Sequence, residues 1–437
     1  MFNIRKLKLN PLEKKSFVLH SLYSSIEGIV LGVLALNEFV FIKGMQGSNF
    51  QLAVLMQSAT IVFIFLLFVN EYVKRIRDRK KLIRIAGIIS RFPLILLFFF
   101  PRSISEFQVD SSYHYIFLLL FLIYYMGNVI IYPNINYLLK SNYTHQNFGT
   151  LYSMASSVNK IIMLIVTLVY GILLDNNNFV FVYAFPIIAI LAIISVYVLT
   201  MIPMPMEKIT ELKNSVMKSV KESIKNMYLI LKTNTPYRHF EAGFMLYGIA
   251  FMFTTPVLYI YFYEYLNLNY TSVAFYRNAY NIFAIFLLPF FGKLMGKIDP
   301  RKFGVITYIS LGMYIFFLAL TSFFPYYIDV LNIRIYYTLI LYILFHGVFA
   351  ATMTLLWNIG SAYFCKPEEA GTYQSSHLFL TGSRALFAPL MGVSLYKYLG
   401  FSTTFGISIL LVMGSVSIMI WSYRREKSTN NKVLENN

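Results

Sequence analysis

Apolar runs of about twenty residues or more recur twelve times along this chain, at 16–42, 50–73, 82–100, 113–139, 149–174, 179–202, 240–265, 271–295, 303–324, 335–363, 370–398 and 402–423. Wound as a helix, about twenty apolar residues cross a hydrocarbon core of about 30 Å. In lipid every backbone N–H and C=O must be bonded within the chain, which leaves only helices and closed barrels. These runs lack the two-residue alternation of a barrel strand, so the expectation is an all-α integral membrane protein with 12 transmembrane helices. Composition agrees: 13% of the residues are charged and 58% hydrophobic, against roughly 25% charged in a soluble domain.

The net charge of +18 would suggest a nucleic-acid partner in a soluble protein. Here the Lys and Arg residues crowd into alternate connections. The opposite set holds only Lys43, Arg102, Arg334 and Lys397, while Arg91, Lys160, Arg277 and Arg384 lie within spans. By the positive-inside rule the basic side, with both termini, is cytoplasmic, so the charge reports orientation and no nucleic acid is expected. The first span is no signal peptide: it is too long for one, carries Glu27 at its centre and has no small-residue cleavage site behind it. Between the sixth and seventh spans, Ile209, Leu212, Val216, Val220, Ile224, Met227 and Leu231 recur at three- and four-residue spacing among lysines, the pattern of an amphipathic surface helix. The organisation read from this is an N-terminal six-helix bundle at 1–202, a cytoplasmic amphipathic linker at 203–238, a C-terminal six-helix bundle at 239–423 and a polar cytoplasmic tail at 424–437.

The two halves repeat. Without a gap, Asn136 falls on Asn358, Gly149 on Gly371, Ser153 on Ser375 and Phe179 on Phe401. Near the start of each half Gly28 falls on Gly248, and the basic turns after spans 2 and 8 come into register with Asp78 beside Asp299. Parallel repeats of this kind are related by an axis along the membrane normal. Spans 5 and 11 each carry a cation, but Lys160 aligns with Gly382 and not with Arg384.

With six plus six spans, a long basic link and these turns, the chain resembles the major facilitator superfamily over nearly its whole length. The turn from Gly292 to Lys302, GKLMGKIDPRK, is similar to the family signature G-x-x-x-D-R-x-G-R-R. Gly296 stands where the family has Asp and Lys297 where it has Arg, and the first copy, NEYVKRIRDRKK, keeps the basic character without the spacing. The resemblance implies gating turns built on Asp78, Arg79, Gly292, Asp299 and Arg301. The stretch His377 to Gly392 resembles uncharacterised bacterial members and names no substrate. The resemblance also implies that spans 1, 4, 7 and 10 line a central cavity, flanked by 2, 5, 8 and 11, with 3, 6, 9 and 12 outside.

Charge inside a bilayer costs about 2.5–3.5 kcal/mol or more, so each intramembrane charge is a functional candidate. Glu27 shares a stripe with His20 and Ser24 and reads as a proton-coupling carboxylate, or else as a structural ion pair with Arg384 or Lys160. Arg384 shares one helix face with Gln374, His377 and Thr381. Its planar fork suits a carboxylate or phosphate on a substrate, pairing with Glu27 or a helix end being the alternative. Lys160 lies on a stripe of small residues that favours close helix contact, which sets a place at a helix seam against a place in the cavity. Arg277, two turns from an external helix end, either snorkels outward or lines a vestibule. For Arg91, on a peripheral span, a structural partner is expected. His346 is a proton relay or a hydrogen-bonded core histidine. Asn128 and Tyr247 lie on polar faces with Tyr125 and Tyr132, and with Thr254 and Tyr261.

Nothing supports an enzyme: there is no phosphate-binding glycine loop, no Ser-His-Asp set and no room for a nucleotide domain. The single cysteine, Cys365, excludes an internal disulfide and argues against a cysteine-based metal site, and no cofactor is expected. The function this implies is secondary active transport of a small solute by alternating access, in a bacterial cytoplasmic membrane, with the lipid bilayer and a coupling proton or ion as partners. The excess of Lys160, Arg277 and Arg384 over Glu27 favours an anionic solute. Efflux of amphipathic compounds, and a non-transporting receptor or partner subunit on the same fold, are the alternatives. The oligomeric state stays open, a monomer being sufficient.

Overall fold

Short polar signals begin many of the helices. Asn10 accepts from the backbone N–H of Glu13 while Glu13 accepts from that of Asn10, a capping box that starts α1, Pro11–Leu34. Ser48 and Gln51 do the same for α2, Asn49–Ile61. Asp78 caps α3, Arg79–Arg91, Asn234 caps α7, Thr235–Ile260, Asn269 caps α8, Tyr270–Met295, and Asp299 caps α9, Pro300–Leu320. The remaining long helices are α4, Ser112–Asn142, α5, His145–Asn176, α6, Phe181–Met201, α10, Tyr337–Ile359, α11, Ala370–Ala385, and α12, Ala388–Glu435. The structure is a computed structural model, and it describes residues 9–73, 75–76, 78–203, 215–365 and 369–435.

Among the described residues ten helices are long and apolar enough to cross a membrane, one being the fused stretch Thr372–Ser428, while Asn49–Phe65 is apolar but shorter. Large apolar side chains such as Ile161, Ile165 and Val169 on α5, and Ile187, Ile190 and Ile194 on α6, face outward, as hydrocarbon surroundings demand. The chain divides into two compact units, Met1–Ser219 and Val220–Asn437. A helix at Val216–Thr233 with no buried residue occupies the second part of the expected linker; residues 204–214 of that linker lie outside the described residues.

In the first unit α1 lies against α5 because glycines leave room. A Cβ on Gly28 would stand 2.7 Å from the Asn159 carbonyl and 3.0 Å from the Ile162 Cβ. The Asn159 amide donates to the Ser24 carbonyl at 2.8 Å and the Thr167 hydroxyl to that of Gly32 at 3.0 Å. In the second unit α7 packs on α11 and α12 by the same device, with Gly392 against the Phe253 backbone and Ser415 donating to the Gly243 carbonyl at 2.7 Å.

Several spans that read as single helices are interrupted. After α1 the chain forms a one-turn helix, Asn37–Phe39, and a π-turn, Val40–Gly44; α7 likewise ends in a π-turn, Tyr261–Tyr265. Each is followed by a left-handed residue, Gln46 and Asn267. The third span turns to a tighter 3₁₀ form at Phe92–Phe99, where Pro93 cannot donate an amide to the α ladder. The eleventh breaks between Ala385 and Ala388, because Pro389 would clash with the Ala385 carbonyl four residues back. Gly400, at φ 78°, bends α12 where the last span begins, and the helix runs on into the expected tail. A hairpin also appears where no strand was expected. β1, Tyr327–Val330, pairs antiparallel with β2, Ile333–Tyr336, through left-handed Leu331 and Asn332, and it displaces the start of the tenth span from Ile335 to Tyr337.

Candidate functional site

In the first unit the buried polar groups collect where α1 meets α3, α4 and α6. Glu27 accepts a short hydrogen bond from the Ser195 hydroxyl on α6, and the opposite charge acting on it is that of Arg91 on α3. Arg91 is buried, donates to Ser90 at 2.7 Å and to the Asn128 side-chain carbonyl on α4 at 3.0 Å, and lies 5.2 Å from the Tyr124 ring centroid. Gly127 leaves space for this arrangement beside Ser90 and Arg91. Within this unit Glu27 thus meets Ser195 and Arg91 rather than the expected Lys160, and it faces helices expected to be peripheral. Lys160 stands apart. It is half-buried in the middle of α5, and its ammonium makes no hydrogen bond or ion pair among the described residues.

In the second unit His377, Thr381 and Arg384 of α11 are buried together, while Gln374 bonds to Ser361 and the Trp357 carbonyl. His377 Nδ1 and Glu241 Oε1, the latter on the first turns of α7, lie 2.9 Å apart with both side chains inside the unit. The His377 ring is walled by Phe244, at 4.3 Å between centroids, and Trp357, at 5.5 Å. Two turns along α11, Arg384 donates from Nη1 to the Phe244 carbonyl at 2.6 Å and lies over the rings of Phe244 and Tyr247, at 5.1 and 5.5 Å. Tyr247 stacks on Tyr308 of α9 and donates to the sulfur of Met353 on α10 at 3.0 Å. Thr381 lies between His377 and Arg384 and is buried with them. Glu241 Oε2, His377 Nε2, Thr381 Oγ1, Arg384 Nε and the Tyr308 hydroxyl are all buried and meet no hydrogen-bond partner among the described residues. Such groups are rare because leaving them unpaired costs the full desolvation penalty.

A second polar group in this unit joins α7, α8, α9 and α10. Arg277 donates to the Tyr259 hydroxyl at 2.7 Å, so it points into the helix pack. His346 is sandwiched between Tyr280, at 3.7 Å, and Tyr314, at 4.4 Å, with its Nδ1 2.8 Å from the Tyr342 hydroxyl.

The basic turns are tied down within their own units. The Asp78 carboxylate accepts from the Lys81 backbone N–H at 2.9 Å, beside Arg79 at the first position of α3. Asp299 caps α9 and forms two bonds to the buried Arg301, at 3.0 and 2.8 Å; Arg301 also pairs with Glu426 and donates to Ser422 on α12. Gly292 has open space around it. Among the described residues no cluster of His, Cys, Asp or Glu fits a metal ion.

Sequence reasoning passed over Glu241, Tyr308 and Ser195. Glu241 carried a usable signal, a carboxylate at the second position of an apolar span. Tyr308 was hidden among 35 tyrosines. Ser195 had no mark of its own.

The sequence matches the Major Facilitator Superfamily profile over residues 17–375. Among solved structures, a POT family transporter in complex with 5-aminolevulinic acid aligns with a TM-score of 0.68 at 14% identity, covering 92% of this chain and 94% of that one. A variant of the nucleoside transporter NupG gives 0.67 at 15%, covering 94% and 100%. The xylose transporter XylE from E. coli, in a partially occluded inward-open form, gives 0.62 at 13%, covering 94% and 97%. No curated protein sequence matches the chain. Apolar spanning helices, charge buried among them and a family match over most of the length converge on one statement: the chain is a multi-pass membrane transporter that belongs to the Major Facilitator Superfamily.

Proposed function

We propose that this chain is a secondary active transporter of a small anionic solute. It has twelve spans in two six-helix repeats with cytoplasmic termini, and it works by alternating access in a bacterial cytoplasmic membrane. The names of its structural neighbours cover nucleosides, a sugar and 5-aminolevulinic acid, so the fold selects no cargo and charge must. The observation that carries the reading is Lys160, a half-buried ammonium in mid-span with no hydrogen bond or ion pair among the described residues. A cation in a span needs a counter-charge, and an anionic solute supplies one. Arg384, with an orphaned Nε, is the second candidate for solute contact. The turns at Asp78, Arg79, Gly292, Asp299 and Arg301 are the proposed gates.

The test begins with a thermal-shift screen of the purified protein against metabolite anions. Uptake of the stabilising anions into proteoliposomes, with and without an imposed pH gradient, then follows. Uptake driven by an inward proton gradient and reduced at least tenfold in Lys160→Gln is the expected result. Unchanged transport in both Lys160→Ala and Arg384→Ala refutes the anion reading. Acceptance of amphipathic cations in place of anions moves the assignment to efflux.

A further inference from the structure

We infer that Glu241 and His377 form a proton-binding pair whose occupancy sets whether the charge of Arg384 is balanced, making them the coupling site of the transport proposed above in place of Glu27. Two observations carry this beyond a structural ion pair. The pair is closed at one end and open at the other: His377 Nδ1 meets Glu241 Oε1 at 2.9 Å, while Nε2 and Oε2, both buried, meet no hydrogen-bond partner of good geometry among the described residues; the Tyr237 hydroxyl, which acts on the Glu241 carboxylate, donates to the Tyr373 carbonyl. If Nδ1 carries the hydrogen and donates to the carboxylate, the two orphaned atoms are both lone-pair acceptors, so the arrangement holds one proton fewer than it has places for. The second observation is the continuation of the same α11 face. Thr381 Oγ1 and Arg384 Nε are also buried and unpartnered, and the charges of Glu241 and Arg384 act on each other.

The charge count gives the mechanism. With Nδ1–H donating to a carboxylate, the pair carries one negative charge and Arg384 one positive, which balance. A proton arriving at Nε2 or Oε2 neutralises the pair and leaves the guanidinium uncompensated. An uncompensated cation away from water is strongly unfavourable, and an anion near Arg384 relieves it. Proton binding and anion binding therefore favour each other, and by linkage the coupling is reciprocal. The other titratable groups acting on the pair are Tyr237, Tyr308 and, through Arg384, Tyr247, with Tyr373 and Cys365 beyond Tyr237. Arg384 is the cation among them. Within its own unit Glu27 is engaged by Ser195 and Arg91.

The inference rests on the transport reading for its meaning, but its test needs no solute. The probe is the proton itself, followed by infrared difference spectroscopy of the purified full chain titrated from mildly alkaline to mildly acidic pH. The expected result is a carboxylate-to-carboxyl change if the proton settles on Oε2, or imidazolium bands with a perturbed carboxylate if it settles on Nε2, in either case altered in Glu241→Gln, shifted in His377→Gln and moved to higher pH in Arg384→Gln. The last sign follows because removing a cation favours the protonated pair. Wild-type and Glu241→Gln spectra that superimpose across the titration overturn the proton site, and a midpoint unmoved in Arg384→Gln overturns the linkage. If Glu241→Gln does not fold, nitrogen-15 histidine spectra of the wild-type chain, with His377→Gln for assignment, decide instead: a His377 resonance that ignores pH overturns the inference. A titrating pair in a chain that moves no anion would refute the transport reading and leave the site standing; an anion transporter with a silent pair would do the reverse.

Discussion

Replacing Gly248 by alanine puts a methyl group where the Arg384 guanidinium lies. The added Cβ would overlap Nη1 and Cζ and stand 2.5 Å from Nε, so the side chain must leave its slot. Leaving breaks the charged hydrogen bond to the Phe244 carbonyl, worth about 1.5–3 kcal/mol. It also gives up cation–π contacts with Phe244 and Tyr247, about 0.5–1 kcal/mol each at the low end of the range. Alanine's better helix propensity returns about 1 kcal/mol. The balance is a destabilisation of about 1.5–4 kcal/mol, all of the loss routed through one neighbouring side chain.

That routing makes the number testable by a double-mutant cycle on the detergent-purified protein, with denaturant unfolding as the readout. In an Arg384→Ala background the same Gly248→Ala change meets no guanidinium, and its expected effect is neutral or slightly stabilising. The propensity gain is common to both backgrounds, so the coupling energy between the two sites should reach about 2.5–5 kcal/mol, at or above the upper end of what directly contacting residues show. Additive effects, or a Gly248→Ala protein as stable as the parent, would refute the packing argument and with it the placement of Arg384.

Three further substitutions test other parts of the structure. Arg91→Ala removes the opposite charge acting on the buried Glu27 and the bonds to Ser90 and Asn128, and the loss of about 1–3 kcal/mol should fall when Glu27→Gln is added; an equal loss in both backgrounds would contradict the charge coupling. Glu13→Ala removes the carboxylate that accepts from the backbone and hydroxyl of Thr144 and from Asn147; a loss of about 1–3 kcal/mol should appear in thermal unfolding, and its absence would show that this latch between α1 and the start of α5 is idle. Gly400→Ala forces a side chain onto a backbone at φ 78°, and the expected cost of about 1–3 kcal/mol is checked by the same melt.

Hydropathy is a local property, which is why the apolar spans are legible in the amino-acid sequence alone. The caps at Asn10, Ser48, Asp78 and Asp299 are local too. The interruptions are partly visible: Pro93 and Pro389 cannot continue an α ladder, yet each sits inside an apolar run that reads as unbroken. The π-turns after α1 and α7 have no residue signature. The hairpin at Tyr327–Tyr336 does carry one, apolar residues alternating around a Leu331-Asn332 turn, but it abuts a span and merges with it in hydropathy. The Glu241–His377 pair depends on two helices meeting across 136 positions of sequence, and no spacing rule within either helix reports that.

The internal repeat explains where Arg384 came to lie. Gly28 in α1 faces Ile162 of α5, and Gly248 in α7 faces Arg384 of α11. The offset that aligns Asn136 with Asn358 carries Ile162 onto Arg384. The same glycine notch thus receives an aliphatic side chain in one half and a guanidinium in the other. In the first half the notch is set by backbone: a methyl on Gly28 would meet the Asn159 carbonyl at 2.7 Å, so trimming Ile162 to alanine should not rescue Gly28→Ala. In the second half it is set by the arginine side chain, and trimming should rescue. A helix crossing that needs only a small residue and a filler has therefore been given, in one copy, a filler that bears charge. That charge brings its own demands for a hydrogen-bond acceptor, which the Phe244 carbonyl meets, and for a counter-charge, which Glu241 supplies beside His377. Lys160, on the neighbouring face of α5, has no counterpart to any of these. The asymmetry between two otherwise matched crossings is what separates a packing position from a chemical one.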